Sequence, residues 1–347
     1  MNSGRGMILK GFLSIPSHGH GIMASHIPDP QRKAVSYRSL LFAAPEKSNS
    51  HIGATWNALD PEQMRFVYSR CFEDNLPAGP KRAVYVKNWI QWQLEPNDET
   101  THCFAKCVLE GIQLYDPVAK KFRSKRITIQ HEAFKAFTGA KDDEVARYKE
   151  AVASLKVGSG SCSDVFNTYS PVLKQFHDVS QLVYLSVSAV AAKIYEADPN
   201  VKRKGESFME YCAKRAWKGK NKDDECKARK YGLTGSNELK QAVDCIFRGF
   251  RYINENGFNP DEIVRDFKLI NKANLEPQVR SILSKCSGDK AYDFYSCLLQ
   301  SDVKEEFKNA FDFRELRSVD YSYLVVGNVY DPAKVKAEMA KADAKVC

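Results

Sequence analysis

Two carboxylates and a run of bases are the first residues of this sequence able to do chemistry. Asp312 and Glu315 stand three apart; on a helix they share one face, where a buried acid pair would attract a cation. Lys202, Arg203 and Lys204 are consecutive, and such a run is either a solvated linker or a seat for anionic oxygens. His177 and Asp178 are neighbours and could poise an imidazole for proton transfer, but the pair reads better as a surface feature. The chain carries no Gly-x-Ser-x-Gly, His-Glu-x-x-His or glycine-rich phosphate loop, so no catalytic residue is assigned. His102, Cys103 and Cys107 could be drawn as metal ligands. The better reading is that two cysteines four apart lie on one helix face and bridge neighbouring helices; no metal or cofactor is expected.

The ten cysteines are Cys71, Cys103, Cys107, Cys162, Cys212, Cys226, Cys245, Cys286, Cys297 and Cys347. None forms a Cys-x-x-Cys pair, which removes support for zinc ribbons and thioredoxin-like sites. An even, scattered set suits bridges made in an oxidising compartment. A length of 347 residues favours two domains, and 43% hydrophobic residues is ordinary for a globular chain. No run approaches the ~18 apolar residues of a membrane span, so we expect a soluble protein without membrane insertion. Residues 1–55 differ from the rest. They hold four of the seven histidines (His18, His20, His26 and His51) and carry +4 of the net charge of +9. Their best apolar run, Met7 to Ile15, is broken by Lys10 and Gly11, a poor signal peptide. This segment is expected to be an unusual leader, a polar tail, or a start placed upstream of the true one.

The elements that must position these groups are helices. Asp60-Pro61-Glu62 is a helix start, with Asp as N-cap and Pro at the first position; Phe66 and Cys71 follow in that helix. Further helices are expected at Lys106–Tyr115, Asp142–Leu155, Ser163–His177 and Leu182–Tyr195. After a polar break at 197–205 they resume at Glu206–Trp217, Ser236–Asn254, Pro260–Ala273, Glu276–Cys286 and Ala291–Arg317. Strand alternation is scarce. The polar break divides the chain into domains at 56–198 and 199–347. An internal echo supports two related units: Cys107, Gly111 and Tyr115 are matched by Cys245, Gly249 and Tyr252, and each set follows an aromatic–cysteine pair, Phe66 and Cys71 or Phe208 and Cys212.

Cys103-x-x-x-Cys107, with Cys71 before and Cys162 after it, resembles the insect odorant-binding fold. Arg70-Cys-Phe-Glu-Asp-Asn75, Cys103-Phe-Ala-Lys-Cys-Val-Leu109, Leu114-Tyr-Asp-Pro-Val118 and Phe311-Asp-Phe-Arg-Glu315 narrow the resemblance to the long-form D-seven salivary proteins of blood-feeding mosquitoes. It covers roughly 60–347. It implies an all-α fold of two disulfide-stapled odorant-binding-like domains, secretion from the salivary gland, and sequestration of host mediators of haemostasis and inflammation. The implied bridges in the first domain are Cys71–Cys107 and Cys103–Cys162. In the second, where six cysteines allow fifteen pairings, we expect Cys212–Cys245, Cys226–Cys347 and Cys286–Cys297.

The resemblance implies three ligand sites. A lipid such as a cysteinyl leukotriene would lie in the first domain against positions matching Trp92, Lys106, Lys204 and Met209, with Met209 where a phenylalanine is usual. A biogenic amine would lie in the second against Arg229, Tyr231, Tyr295, Asp312 and Glu315. There Ala242 replaces the family's histidine, and pairing of the two acids with Arg229 is the stronger reading. The third is the seam between domains. Tyr195, Lys202, Arg203 and Lys204 on one side, with Arg317, Ser318, Tyr321, Ser322 and Tyr323 on the other, suit a phosphate-bearing base, and the best expectation is ADP or ATP. The rivals are a leukotriene or amine scavenger without nucleotide binding, a general odorant carrier, and a secreted lipid hydrolase. His177-Asp178 is similar to the pair of secreted phospholipases, but their adjacent cysteine and calcium loop are missing here. The overall expectation is a monomeric, non-enzymatic binder of small molecules with no nucleic-acid partner.

Overall fold

Asp60 opens the first helix by a reciprocal cap. Its carboxylate accepts from the Gln63 backbone N–H at 2.8 Å, and the Gln63 side chain accepts from the Asp60 N–H at 2.9 Å. The computed structural model describes residues 57–347 except 255, 256 and 289; the leader expected at 1–55, with its histidines, lies outside the described residues. In the first half, helix α1 (Pro61–Asn75) is followed by α2 (Arg82–Trp89), α3 (Glu99–Gly111), α4 (Lys125–Thr138), α5 (Asp142–Ala153), α6 (Cys162–Gln175), α7 (His177–Val183) and α8 (Ser188–Ala197). The second half holds α9 (Phe208–Ala216), α10 (Lys222–Arg229), α11 (Asn237–Gly249), α12 (Pro260–Leu269), α13 (Glu276–Lys285), α14 (Ala291–Leu299), α15 (Lys304–Val319) and α16 (Pro332–Ala344). A short 3-10 turn at Ala273–Leu275 and two small antiparallel hairpins complete the described elements, β1 (Tyr115–Asp116) with β2 (Lys121–Phe122) and β3 (Ile253–Asn254) with β4 (Gly257–Phe258).

Several helix boundaries differ from the sequence reading, each for a local reason. The helix expected at Lys106–Tyr115 starts at Glu99, because Asp98 caps it through the Thr101 N–H, and stops at Gly111; Tyr115 instead pairs with Phe122 in the hairpin. The apolar run Leu182–Tyr195 is broken where Leu185 takes a φ of 55°, so α7 ends and α8 begins anew. Ala291–Arg317 is two helices. Ser301 sits at the break, its hydroxyl donating to the Leu298 carbonyl at 2.8 Å and accepting from the Val303 N–H at 3.4 Å, in competition with a continuous ladder. Helices α2, α4, α10 and α16 were not foreseen.

Two apolar cores form. One gathers Met64, Phe72, Trp89, Phe104, Leu114 and Val183; the other gathers Cys212, Phe247, Phe250, Phe267, Leu298 and Phe311. They are not cleanly partitioned along the chain, since Val325, from the C-terminal segment, is buried in the first core. Five disulfides staple the helices: Cys71–Cys107, Cys103–Cys162, Cys212–Cys245, Cys226–Cys347 and Cys286–Cys297.

The internal echo has a packing cause. Cys71–Cys107 joins α1 to α3, and Cys212–Cys245 joins α9 to α11. Four residues past the second cysteine of each pair stands a glycine, Gly111 or Gly249. A Cβ at Gly111 would collide with the Val67 side chain, and one at Gly249 with the Phe208 ring. Each glycine thus lets two bridged helices close on one another. Gly249→Ala should destabilise the protein by about 1–3 kcal/mol through overpacking against the buried ring. A thermal midpoint equal to that of the unaltered protein would show that Phe208 yields freely.

Candidate functional site: an apolar cavity and an ionic seam

Helix α3 presents Phe104, Ala105, Val108, Leu109 and Ile112 to one cavity, the spacing of a single helical stripe. Helices α1, α6 and α7 add Tyr68, Tyr169, Leu173, His177, Ser180 and Gln181, and the chain between helices adds Trp92, Leu94, Tyr184 and Ser186. The space measures about 530 Å³, its open mouth included. Several of the polar groups on the walls already have partners. The Tyr68 and Ser186 hydroxyls stand 3.4 Å apart, and the Tyr169 hydroxyl meets that of Tyr148 at 2.6 Å. Burial pushes the Tyr169 phenol up to about 12, so it stays neutral. Trp92 has a φ of 56°, uncommon for so bulky a residue, and its ring meets Tyr68 edge-on at 4.7 Å.

Of the four positions expected to hold a lipid, the structure brings only Trp92 to this cavity. Lys106 lies on a neighbouring stripe of α3 and pairs with Glu110 at 3.6 Å. Lys204 stands exposed in the connecting segment. Met209 is buried in the second core, its N–H donating to Glu315. These three do not line this cavity. His177, read from sequence as a surface residue, lines the mouth with a side chain 42% exposed. Its adjacency to Asp178 could not reveal this, because the cavity is made by α3 and by chain nearly ninety residues away at Trp92.

The acids of the second half have partners. The Tyr231 hydroxyl donates to Asp312 at 2.5 Å. Glu315 accepts from the Ser207 hydroxyl at 2.5 Å and the Met209 N–H at 3.1 Å, with Arg229 at 3.8 Å. Arg229 also reaches Asp343 at 2.6 Å, bringing α16 over this region. Tyr295 and Ala242 are packed in the surrounding core. Burial raises Asp312 to about 6 and Glu315 to about 7, although Tyr231 and Arg229 pull the other way.

Where the halves meet, α1 carries a buried polar stripe of Glu62, Arg65, Ser69 and Glu73. Arg70 clasps Glu262 through two contacts of 2.5 and 2.7 Å. Glu73 binds Arg265 and Arg317, both at 2.9 Å, and Arg65 binds Asp320 at 3.2 Å. Arg317 and Arg314 also hold Asp266, at 3.1 and 3.4 Å. Sequence reasoning missed this network, although polar residues at helical spacing (62, 65, 69 and 73) were its visible trace. A recess of about 230 Å³ opens beside it, lined by Phe66, Ser69, Arg70, Glu73, Arg314, Arg317, Ser318 and Tyr321.

The residues expected to hold a nucleotide are only partly gathered here. Lys202 is buried, not a solvated cation: its ammonium donates to the Ser318 carbonyl at 2.7 Å and lies over the Phe208 and Tyr321 rings. Burial lowers it to about 8. Tyr321 donates its hydroxyl to Glu62, and Arg203 stacks over Tyr195. Ser322 is buried in the same C-terminal segment, while Tyr323 faces Lys334.

A helical, disulfide-stapled fold around a partly open apolar cavity defines a class. Residues 195–301 match the model of the PBP/GOBP family, and the chain has the odorant-binding fold. The match to known proteins is closer than class level. The long form salivary protein D7L1 of Anopheles atroparvus is 85% identical over 296 residues, covering 85% of this chain and 94% of that protein. The AnSt-D7L1–U46619 complex is 55% identical with a TM-score of 0.80, covering 83% and 98% of the two chains. The AeD7–leukotriene E4 complex is 34% identical, with a TM-score of 0.73 and coverages of 80% and 96%. Culex quinquefasciatus D7 long form 1 in complex with ADP is 26% identical, with a TM-score of 0.77 and coverages of 84% and 99%. The chain belongs to the long-form D7 salivary proteins, and it is a secreted protein of saliva. Among the described residues no helix is long and apolar enough to cross a membrane.

Glu315 generates a pH prediction. Its folded-state pKa is raised, so the neutral acid is favoured on folding. The corresponding stability is fully present below about 4.5 and is lost as the pH rises through about 7. Glu315→Gln keeps a neutral group at every pH. Between pH 4.5 and 7 the midpoint of the unaltered protein should therefore fall relative to that of the variant; parallel melting curves across this range would contradict the assignment.

Proposed function

We propose that this protein sequesters an acidic lipid of the eicosanoid kind in the cavity between α1, α3, α6 and α7, removing a host mediator of haemostasis or inflammation. The observation that carries this reading is the cavity itself: mostly apolar, partly open to solvent, and with hydroxyls among its wall groups. Relatives bound to U46619 and to leukotriene E4 support it. A scavenger works by mass action, so it must bind tightly and be abundant. Calorimetry with leukotriene E4 tests the reading. Binding is expected at one ligand per chain, and Ala105→Trp, which fills the cavity, should weaken it at least about tenfold while leaving the far-ultraviolet circular dichroism unchanged. No heat with the unaltered protein, or full binding by the variant, would reject the site.

A second reading is favoured by the seam. Its recess is walled by Arg70, Arg314 and Arg317 with Ser318 and Tyr321, and a relative is bound to ADP. We infer ADP or ATP as the ligand, with Lys202, Lys204, Tyr195 and Ser322 on the periphery. Since Lys202 and Arg317 already have partners, phosphates would have to compete for them, which makes this site weaker than the cavity. ADP titration at low salt should give heat that fades as salt rises and drops on Lys202→Ala; an absence of heat at low salt ends this reading. Biogenic amines fit least well, because Asp312 and Glu315 are answered by Tyr231, Ser207 and Arg229. We read the protein as a binder and not a hydrolase, in line with the odorant-binding fold, and as two domains dividing near 198–199, in line with its two cores.

A further inference from the structure

The cavity proposed for an acidic lipid has an unanswered chemical question: what meets the acid. The lysines expected to do so, Lys106 and Lys204, do not line it. Among the side chains that do, one is able to carry positive charge, His177. The other ionisable groups on the walls are the phenols of Tyr68, Tyr169 and Tyr184, which burial pushes up and keeps neutral. His177 is also rightly placed along the cavity. It stands half-exposed at the mouth, on the same helix as Ser180 and Gln181, where the charged end of a lipid keeps contact with water while its chain enters the apolar interior.

Its hydrogen bonds show how it would respond. Imidazole Nδ1 lies 3.0 Å from Asp178 Oδ1, and Nε2 lies 2.6 Å from the Gln181 side-chain nitrogen. The carboxylate accepts, so Nδ1 carries the proton; the amide NH2 donates, so Nε2 accepts through its lone pair. When Nε2 takes a proton, two donors face one another and the Gln181 contact breaks. Nε2–H is then released toward the mouth, while Asp178, 99% exposed, still steadies the ring through Nδ1. Gln181 is freed at the same moment to turn its NH2 to the same oxygen pair.

We propose that His177, with Gln181, is the receptor for the carboxylate of the lipid at the cavity mouth. This rests on the reading of the cavity as a lipid site. It makes capture selective for acids over neutral lipids of the same chain.

The test uses the full chain with arachidonic acid and arachidonyl alcohol, which share a hydrocarbon chain and differ in charge. Binding is followed by quenching of tryptophan fluorescence and by calorimetry. The acid should bind about tenfold tighter than the alcohol, a difference of the size expected for a charge-assisted hydrogen bond. His177→Gln should bring acid and alcohol to equal affinity without weakening the alcohol. His177→Lys should keep the preference for acid. Equal binding of acid and alcohol by the unaltered protein, or a preference that survives His177→Gln, would overturn the assignment while leaving the cavity a lipid site. Failure of both ligands to bind would overturn the lipid reading itself.

Discussion

The ionic contact of α1 with the second half is the constraint on which the arrangement of this molecule rests. One stripe of α1, Met64, Tyr68, Cys71 and Phe72, is buried in the first core. Another, Glu62, Arg65, Ser69 and Glu73, is buried against α12, α15 and the segment after it. Ions withdrawn from water cost several kcal/mol each unless their partners are in place. The cost is offset only in one register of the two halves, where Arg70 meets Glu262 through two short bonds and Glu73 meets both Arg265 and Arg317. Burial alone would raise Glu262, yet the guanidinium groups around it bring it down to about 2. The seam is therefore a specific lock more than a source of stability.

This lock places the two halves under different demands. In the first, α3 and α6 are held together by Cys103–Cys162, and both line the cavity with α1 and α7. In the second, the corresponding interior holds Phe247, Phe250, Tyr252, Tyr295 and Phe311, ring against ring at centroid distances of 5.1 to 6.4 Å. The Arg229–Asp343 pair and Cys226–Cys347 then hold the chain end over it. Two units with the same bridged helix pair and the same close-approach glycine thus differ in what their interiors contain, and the ligand readings differ with them.

How much of this could be read along the chain depends on the range of the interaction. The cap at Asp60, the glycines after Cys107 and Cys245, and the cysteine spacing are local, and they carry fold class and family. The break at Leu185 and the split at Ser301 are also local, but an apolar run that continues across them masks them. The lipid residues were harder. Trp92 lines the cavity whereas Lys106, Lys204 and Met209 do not, because the direction in which each side chain leaves its element differs and nothing in residue type reports that direction.

Cysteine positions, helical periodicity and ordered motifs by themselves determined an all-helical, disulfide-stapled member of a salivary binding family, because each depends on residues within a few turns of one another. Which side chains face a ligand was decided only by tertiary structure. His177 became a cavity residue because the fold brings α7 to the same cavity as one stripe of α3, and Lys202 ceased to be a free cation because the Ser318 carbonyl and two aromatic rings close around it. Burial and partnership arise between segments distant in the chain, 116 residues apart for Lys202 and Ser318, and they set the charge and the reach of a side chain as strongly as its chemical identity does.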